Sequence, residues 1–185
     1  INDLAWLRSQ GFEKAIQKHA QNGGAVVGIC GGYQMLGEII HDPQHVESKL
    51  DSASGLGLLP LETLFAGEKA THQASARIEN SSGWFANLEG QTISGYEIHM
   101  GRTVNQSSWL KITERNGQPV QVLDGATSED GKVWGCYMHG LFANDNLRRA
   151  WLKDLGWDEE TGEKDPFSTS LTRLADTLEE TLDME

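Results

Sequence analysis

Cys30 and His139 are the residues whose types and settings point most directly to chemistry. Cys30 lies where the β-branched run Val26-Val27-Gly28-Ile29 meets the apolar-periodic segment Tyr33-Gln34-Met35-Leu36. Gly28-Ile29-Cys30-Gly31-Gly32 has the form G-x-C-x-G, a nucleophile on a sharp strand-to-helix turn with sulfur in place of oxygen. At such a turn a Cβ collides with its surroundings, so Gly28 and Gly32 are expected to make room for the bend. The helix N-terminus favours thiolate over thiol, and the N–H of the following residue, Gly31, points to where an oxyanion would form. A thiolate also needs a group that gives and takes protons. His139, in Gly135-Cys136-Tyr137-Met138-His139-Gly140, ends an apolar strand-like run, where an imidazole can leave a sheet edge toward a neighbouring turn. Cys30 and His139 are the expected catalytic dyad.

Each residue taken singly has a plainer reading. Cys30 could be a small packing residue, its turn could cradle phosphate, and His139 could be a satisfied structural imidazole. The phosphate alternative is weakened because neither G-x-G-x-x-G nor G-x-x-x-x-G-K-[ST] occurs. For the other two, only the pairing favours catalysis. Cys136 has no second ligand pair at suitable spacing, so it is assigned to the core and no metal is expected. In Gly95-Tyr96-Glu97-Ile98-His99-Met100-Gly101-Arg102-Thr103, Glu97 and His99 share one strand face, where they could orient a neighbour or bind substrate. The plainer alternative there is a solvated face with Arg102 as counter-charge.

The elements that must position these residues read as α/β. A helix capped by Asp3 carries Leu4, Leu7, Phe12, Ile16 and Ala20 and stops at Asn22-Gly23-Gly24. Ala25–Ile29 reads as a buried central strand of the parallel type, and Gly31–Ile40 as the helix after it. Strand-like stretches follow through residues 70–79, 92–101, 109–125 and 132–140, with Asn116-Gly117 as a hairpin turn, so the sheet is expected to be mixed. Asn144 or Asp145 can cap a short helix. Phe167, Leu171, Leu174, Leu178 and Leu182 recur at helical spacing, giving an amphipathic C-terminal helix over about 158–185 with an acidic outer face.

At 185 residues the chain can bury a core without disulfides, and its two cysteines fit a reducing compartment. A net charge of -12 opposes nucleic-acid phosphates and anionic membranes, so neither is an expected partner. With no signal peptide and no apolar run of spanning length, a cytoplasmic location is expected.

Four motifs in order, Gly28–Gly37, Gly55–Phe65, Gly95–Thr103 and Gly135–Leu152, resemble the C-terminal glutaminase domain of the cobyric acid synthase family. The first motif alone marks class I glutamine amidotransferases generally; the set is more specific. The resemblance implies a flavodoxin-like three-layer fold with a mixed sheet, spanning 1–185 as one domain of a longer synthetase and N-terminally truncated. It further implies hydrolysis of glutamine through a cysteinyl thioester. Cys30 matches the nucleophile, His139 its histidine and Gln34 a substrate contact. Ammonia would pass to an N-terminal synthetase domain that uses ATP and Mg²⁺ to amidate a corrinoid acceptor, adenosylcobyrinic acid a,c-diamide, while the glutaminase step needs no cofactor. The usual H-x-E is absent, His139-Gly140-Leu141 standing in its place, so Glu97 or a partner domain is expected to orient the imidazole. A loop supplying a second oxyanion donor is also expected upstream of residue 1, so the isolated chain is expected to show little activity. Related amidases acting on cobyrinic acid or lipid II, and a non-catalytic regulatory domain, are the alternatives.

Overall fold

In the computed structural model, which describes residues 1–80, 82–105, 108–157 and 166–181, the chain opens with two helices rather than one. α1 (Asn2–Ser9) and α2 (Phe12–Gln21) part at Gly11, whose φ of +77° breaks the helical ladder. Asp3 lies in the first turn of α1 and Ile1 occupies the cap position, without a side-chain bond. Asn22 and Gly23 end α2 as expected.

β1 (Val26–Ile29) follows, then α3 (Gly31–Leu36), only six residues long. Gly37 turns extended, and Ile39 and Ile40 enter a strand, β2 (Ile39–His41), paired parallel to β4 (Leu61–Ile78) and antiparallel to β3 (Ser52–Ser54). The expected helix to Ile40 therefore stops at Leu36, and Ile39 and Ile40 are strand. An ideal Cβ on Gly37 would stand 2.6 Å from the Leu61 carbonyl, a close approach only glycine permits.

Two sheets carry the site. β5 (Thr92–Asn105) lies antiparallel to β4, and β6 (Leu110–Arg115) and β7 (Gln118–Asp124) form the hairpin expected at Asn116-Gly117, both in positive φ. β8 (Ala126–Thr127) and β9 (Val133–Cys136) join β1 in a three-stranded sheet ordered β1-β9-β8. β10 (Met138–His139) pairs with β5 at the edge of the larger, mixed sheet. β1 is parallel to β9, as its composition implies, but no second strand among the described residues flanks it. Among the described residues it therefore stands at an edge of its sheet, with only Gly28 buried.

β9 divides two cores, because successive side chains point to opposite faces. On one side Trp134 and Cys136 join Trp84, Phe85, Trp109 and Trp151, the last from α4 (Asp145–Asp154). On the other, Val133 joins Leu4, Tyr33 and Leu36 from α1 and α3. Helices, sheet and helix make three layers. Cys136 is fully buried, as assigned. Asn144 precedes α4 but spends its side chain on Ser94 and Leu141 instead of capping the helix. Residues Ile1–Leu155 form one compact unit and Gly156–Glu185 a second. In the second, α5 (Pro166–Thr181) takes in Phe167, Leu171, Leu174 and Leu178; Leu182 and residues 158–165 lie outside the described residues.

Candidate active site

The elbow is built by close backbone approach. An ideal Cβ on Gly28 would stand 2.7 Å from the Gly32 carbonyl oxygen, and one on Gly135 would stand 2.4 Å from the Gly28 carbonyl oxygen. Both lie far inside van der Waals contact, so β1, β9 and α3 meet only because these residues lack side chains. Gly32 departs from expectation: a Cβ there meets nothing within 4 Å, so it is the Gly32 backbone, not its missing side chain, that needs the room at Gly28. Gly31 also faces open space, and its N–H lies in the first turn of α3, among the donors a helix leaves unpaired.

Cys30 sits at φ 56° and ψ −115°, a conformation that costs a non-glycine residue on the order of 1–3 kcal/mol and persists only where the surroundings enforce it. Here the Cys30 N–H donates to the Cys136 carbonyl at 2.9 Å, tying the elbow to β9. The half-buried sulfur lies 3.2 Å from the Ile98 carbonyl oxygen, and His139 Nε2 lies 3.3 Å from the same oxygen. One acceptor on β5 thus gathers thiol and imidazole, each donating to it. Sharing one acceptor keeps the ring nitrogen and the sulfur within about two hydrogen-bond lengths of each other.

The other expected site residues fall differently. Gln34 is 6% exposed, and its amide nitrogen donates to the Met100 carbonyl at 2.9 Å and the Tyr137 hydroxyl at 3.2 Å. That nitrogen is engaged within the fold. Glu97 directs its hydrogen bonds to His99 and Arg115, not to His139. Its side chain, 3% exposed, accepts from His99 Nε2 at 2.9 Å and from two Arg115 nitrogens at 2.6 Å each. Burial pushes the Glu97 carboxyl up, but the His99 and Arg115 hydrogen bonds and the Arg115 charge outweigh it and hold the group below its ordinary value. Glu97 and His99 share a face, as expected, but the counter-charge is Arg115 from the hairpin rather than Arg102, which is exposed beyond the bulge at Gly101.

Besides Arg115, two residues of this region were not singled out by sequence reasoning. The Tyr137 ring stacks on His99 at 3.9 Å and its hydroxyl bonds Thr103. Asp124, 5% exposed, accepts the Tyr137 N–H at 3.1 Å on both oxygens and the Gly125 N–H at 2.7 Å. Burial pushes its carboxyl up to about 6, those bonds opposing and the Glu97 charge assisting. Tyr137 carried a signal, lying within the His139 motif; Asp124 carried none beyond an Asp-Gly turn.

The three-layer α/β frame with a mixed sheet is that of the class I glutamine amidotransferase fold, and its strand-to-helix elbow holds the strained cysteine on the same acceptor as a histidine from a strand end. The chain belongs to the CobB/CobQ-like glutamine amidotransferase domain family, whose model matches residues 1–147. Cobyric acid synthase from Chloroflexus aurantiacus is 46% identical over 92% of this chain and 34% of its own length; the one from Moorella thermoacetica is 47% identical over 80% and 29%. The chain thus spans about a third of the length of these relatives. Among solved structures, PurLQS from Thermotoga maritima shares the fold, with a TM-score of 0.54 at 22% identity over 78% of this chain and 66% of its own.

Proposed function

We propose that this chain is the glutamine-hydrolysing part of a cobyric acid synthase. The observation that carries the reading is the convergence of the Cys30 sulfur and His139 Nε2 on the Ile98 carbonyl oxygen. The Cys30 thiolate attacks the carboxamide carbon of glutamine, and the Gly31 N–H receives the charge that develops on oxygen. His139 gives its proton to the departing amine, releasing ammonia and leaving a glutamyl thioester. The imidazole then takes a proton from water, whose oxygen attacks the thioester carbon, and glutamate leaves as the thiolate re-forms. No cofactor takes part in these steps. In the longer protein, ammonia passes to an ATP- and Mg²⁺-dependent synthetase that amidates the b, d, e and g carboxylates of adenosylcobyrinic acid a,c-diamide. We place this chemistry in the cytoplasm; among the described residues no helix is long and apolar enough to cross a membrane.

The test is glutamate release from L-glutamine by the full-length protein, with corrinoid amidation followed by mass. Cys30→Ser is expected to abolish glutamine-dependent amidation while amidation from added ammonia survives. Glutamine-dependent amidation that persists in Cys30→Ser contradicts the proposal.

A further inference from the structure

The chain passes from one sheet to the other at a single residue. β9, ending at Cys136, belongs to the sheet that holds Cys30; β10, beginning at Met138, belongs to the sheet that holds Ile98 and carries His139. Tyr137 stands between them, so its backbone torsions set where His139 falls relative to Cys30. Its N–H serves neither ladder and goes to the two carboxylate oxygens of Asp124.

We infer that Asp124 is a positioning residue for the dyad, fixing the bend at Tyr137 that carries His139 to Cys30. The inference rests on the glutaminase reading of the site. The link from Asp124 to the pair runs through Tyr137, whose N–H both carboxylate oxygens accept. The other end of the bend is already tied down, since the Cys136 carbonyl accepts the Cys30 N–H. The Tyr137 side chain is fixed as well, stacked on His99, edge-on to Tyr33 and bonded through its hydroxyl to Gln34 of α3. The backbone N–H is the remaining freedom, and Asp124 removes it.

A carboxylate is a costly group for a buried position, and among the described residues no Lys or Arg pairs with Asp124. Glu97, on β5, adds a like charge. A carboxylate supplies two acceptor oxygens and no donor, which suits the Tyr137 and Gly125 N–H groups; charge-assisted bonds of this kind are about twice as strong as neutral ones. An asparagine would turn a donor toward one of them. Gly125 fixes the carboxylate in turn: its φ is +74°, and a Cβ there would stand 2.4 Å from the Trp109 indole nitrogen.

The experiment measures the rate at which a chloroketone analogue of glutamine alkylates Cys30, by mass spectrometry, in the wild type and in Asp124→Asn, each with His139 intact or replaced by alanine. Asp124→Ser is run in parallel in both backgrounds, and circular dichroism identifies the variants that fold. The wild type is expected to label at Cys30, and Asp124→Asn to label at least about fivefold more slowly, since displacements near 1 Å can cost up to 10² in rate. In His139→Ala the same substitution is expected to change the rate by less than about twofold, because the group it positions is gone. Equal slowing in both backgrounds, or none with His139 present, overturns the inference. A wild type that does not label Cys30 overturns the glutaminase reading itself, an outcome distinct from either.

Discussion

Replacing Gly28 by alanine and, separately, Gly32 by alanine divides two glycines that look equivalent in sequence. The new methyl at residue 28 would stand 2.7 Å from the Gly32 carbonyl oxygen and 2.7 Å from Leu36 Cδ1. Leu36 can rotate away. The Gly32 carbonyl can retreat only by moving the first turn of α3, which carries the Gly31 N–H. Overpacking of this kind costs about 1–3 kcal/mol. For a chain of this size each kcal/mol lowers Tm by about 2–4 °C, so Gly28→Ala is expected to melt about 2–12 °C lower. At Gly32 a Cβ meets nothing within 4 Å and φ is ordinary, so alanine is expected to leave Tm unchanged or raise it, gaining up to about 1 kcal/mol of helix propensity. Thermal unfolding followed by the fluorescence of the buried cluster of Trp84, Trp109, Trp134 and Trp151 reads both values. Equal loss in the two variants would refute the account of the elbow.

Three further outcomes follow from the network behind the elbow and from the hairpin. Glu97→Gln leaves Arg115 and His99 without their carboxylate and is expected to cost on the order of 2–4 kcal/mol in urea titrations. Because the folded Glu97 carboxyl titrates below its ordinary 4.5, the wild type's advantage over Glu97→Gln is expected to be full above that pH and to vanish as pH falls through the folded value. Asp124 has the opposite sign: raised to about 6 in the fold, it binds its proton more tightly folded than unfolded. Wild-type stability relative to Asp124→Asn is therefore expected to fall as pH rises from about 4 to about 6 and then level off; a difference that rises across that window would contradict the assignment. Gly117→Ala meets no atom within 4 Å but must hold φ near +77°, so it is expected to lose about 1 kcal/mol through backbone strain alone.

The parts of the site legible in the sequence are those encoded locally. Cys30 within its glycines, Asn116-Gly117 and the apolar run before His139 are decided by neighbours a few residues away. Residues 37–40 were not, because Ile39 and Ile40 suit a helix or a strand, and pairing with β4 settles the choice after Gly37. β1 read as central because its composition speaks of burial, whereas among the described residues only β9 pairs with it. Arg115 and Asp124 were illegible for another reason: their partners, Glu97 and Tyr137, lie 18 and 13 residues away and meet them only when the sheets assemble.

The central claim is that Cys30 carries the acyl group, and acid-quenching the full-length protein during turnover of isotopically labelled glutamine tests it most directly. A labelled glutamyl adduct confined to the peptide containing Cys30, absent from Cys30→Ser and untouched at Cys136, is the predicted result. Glutamate release at an undiminished rate in Cys30→Ser, with no adduct at residue 30, would contradict it.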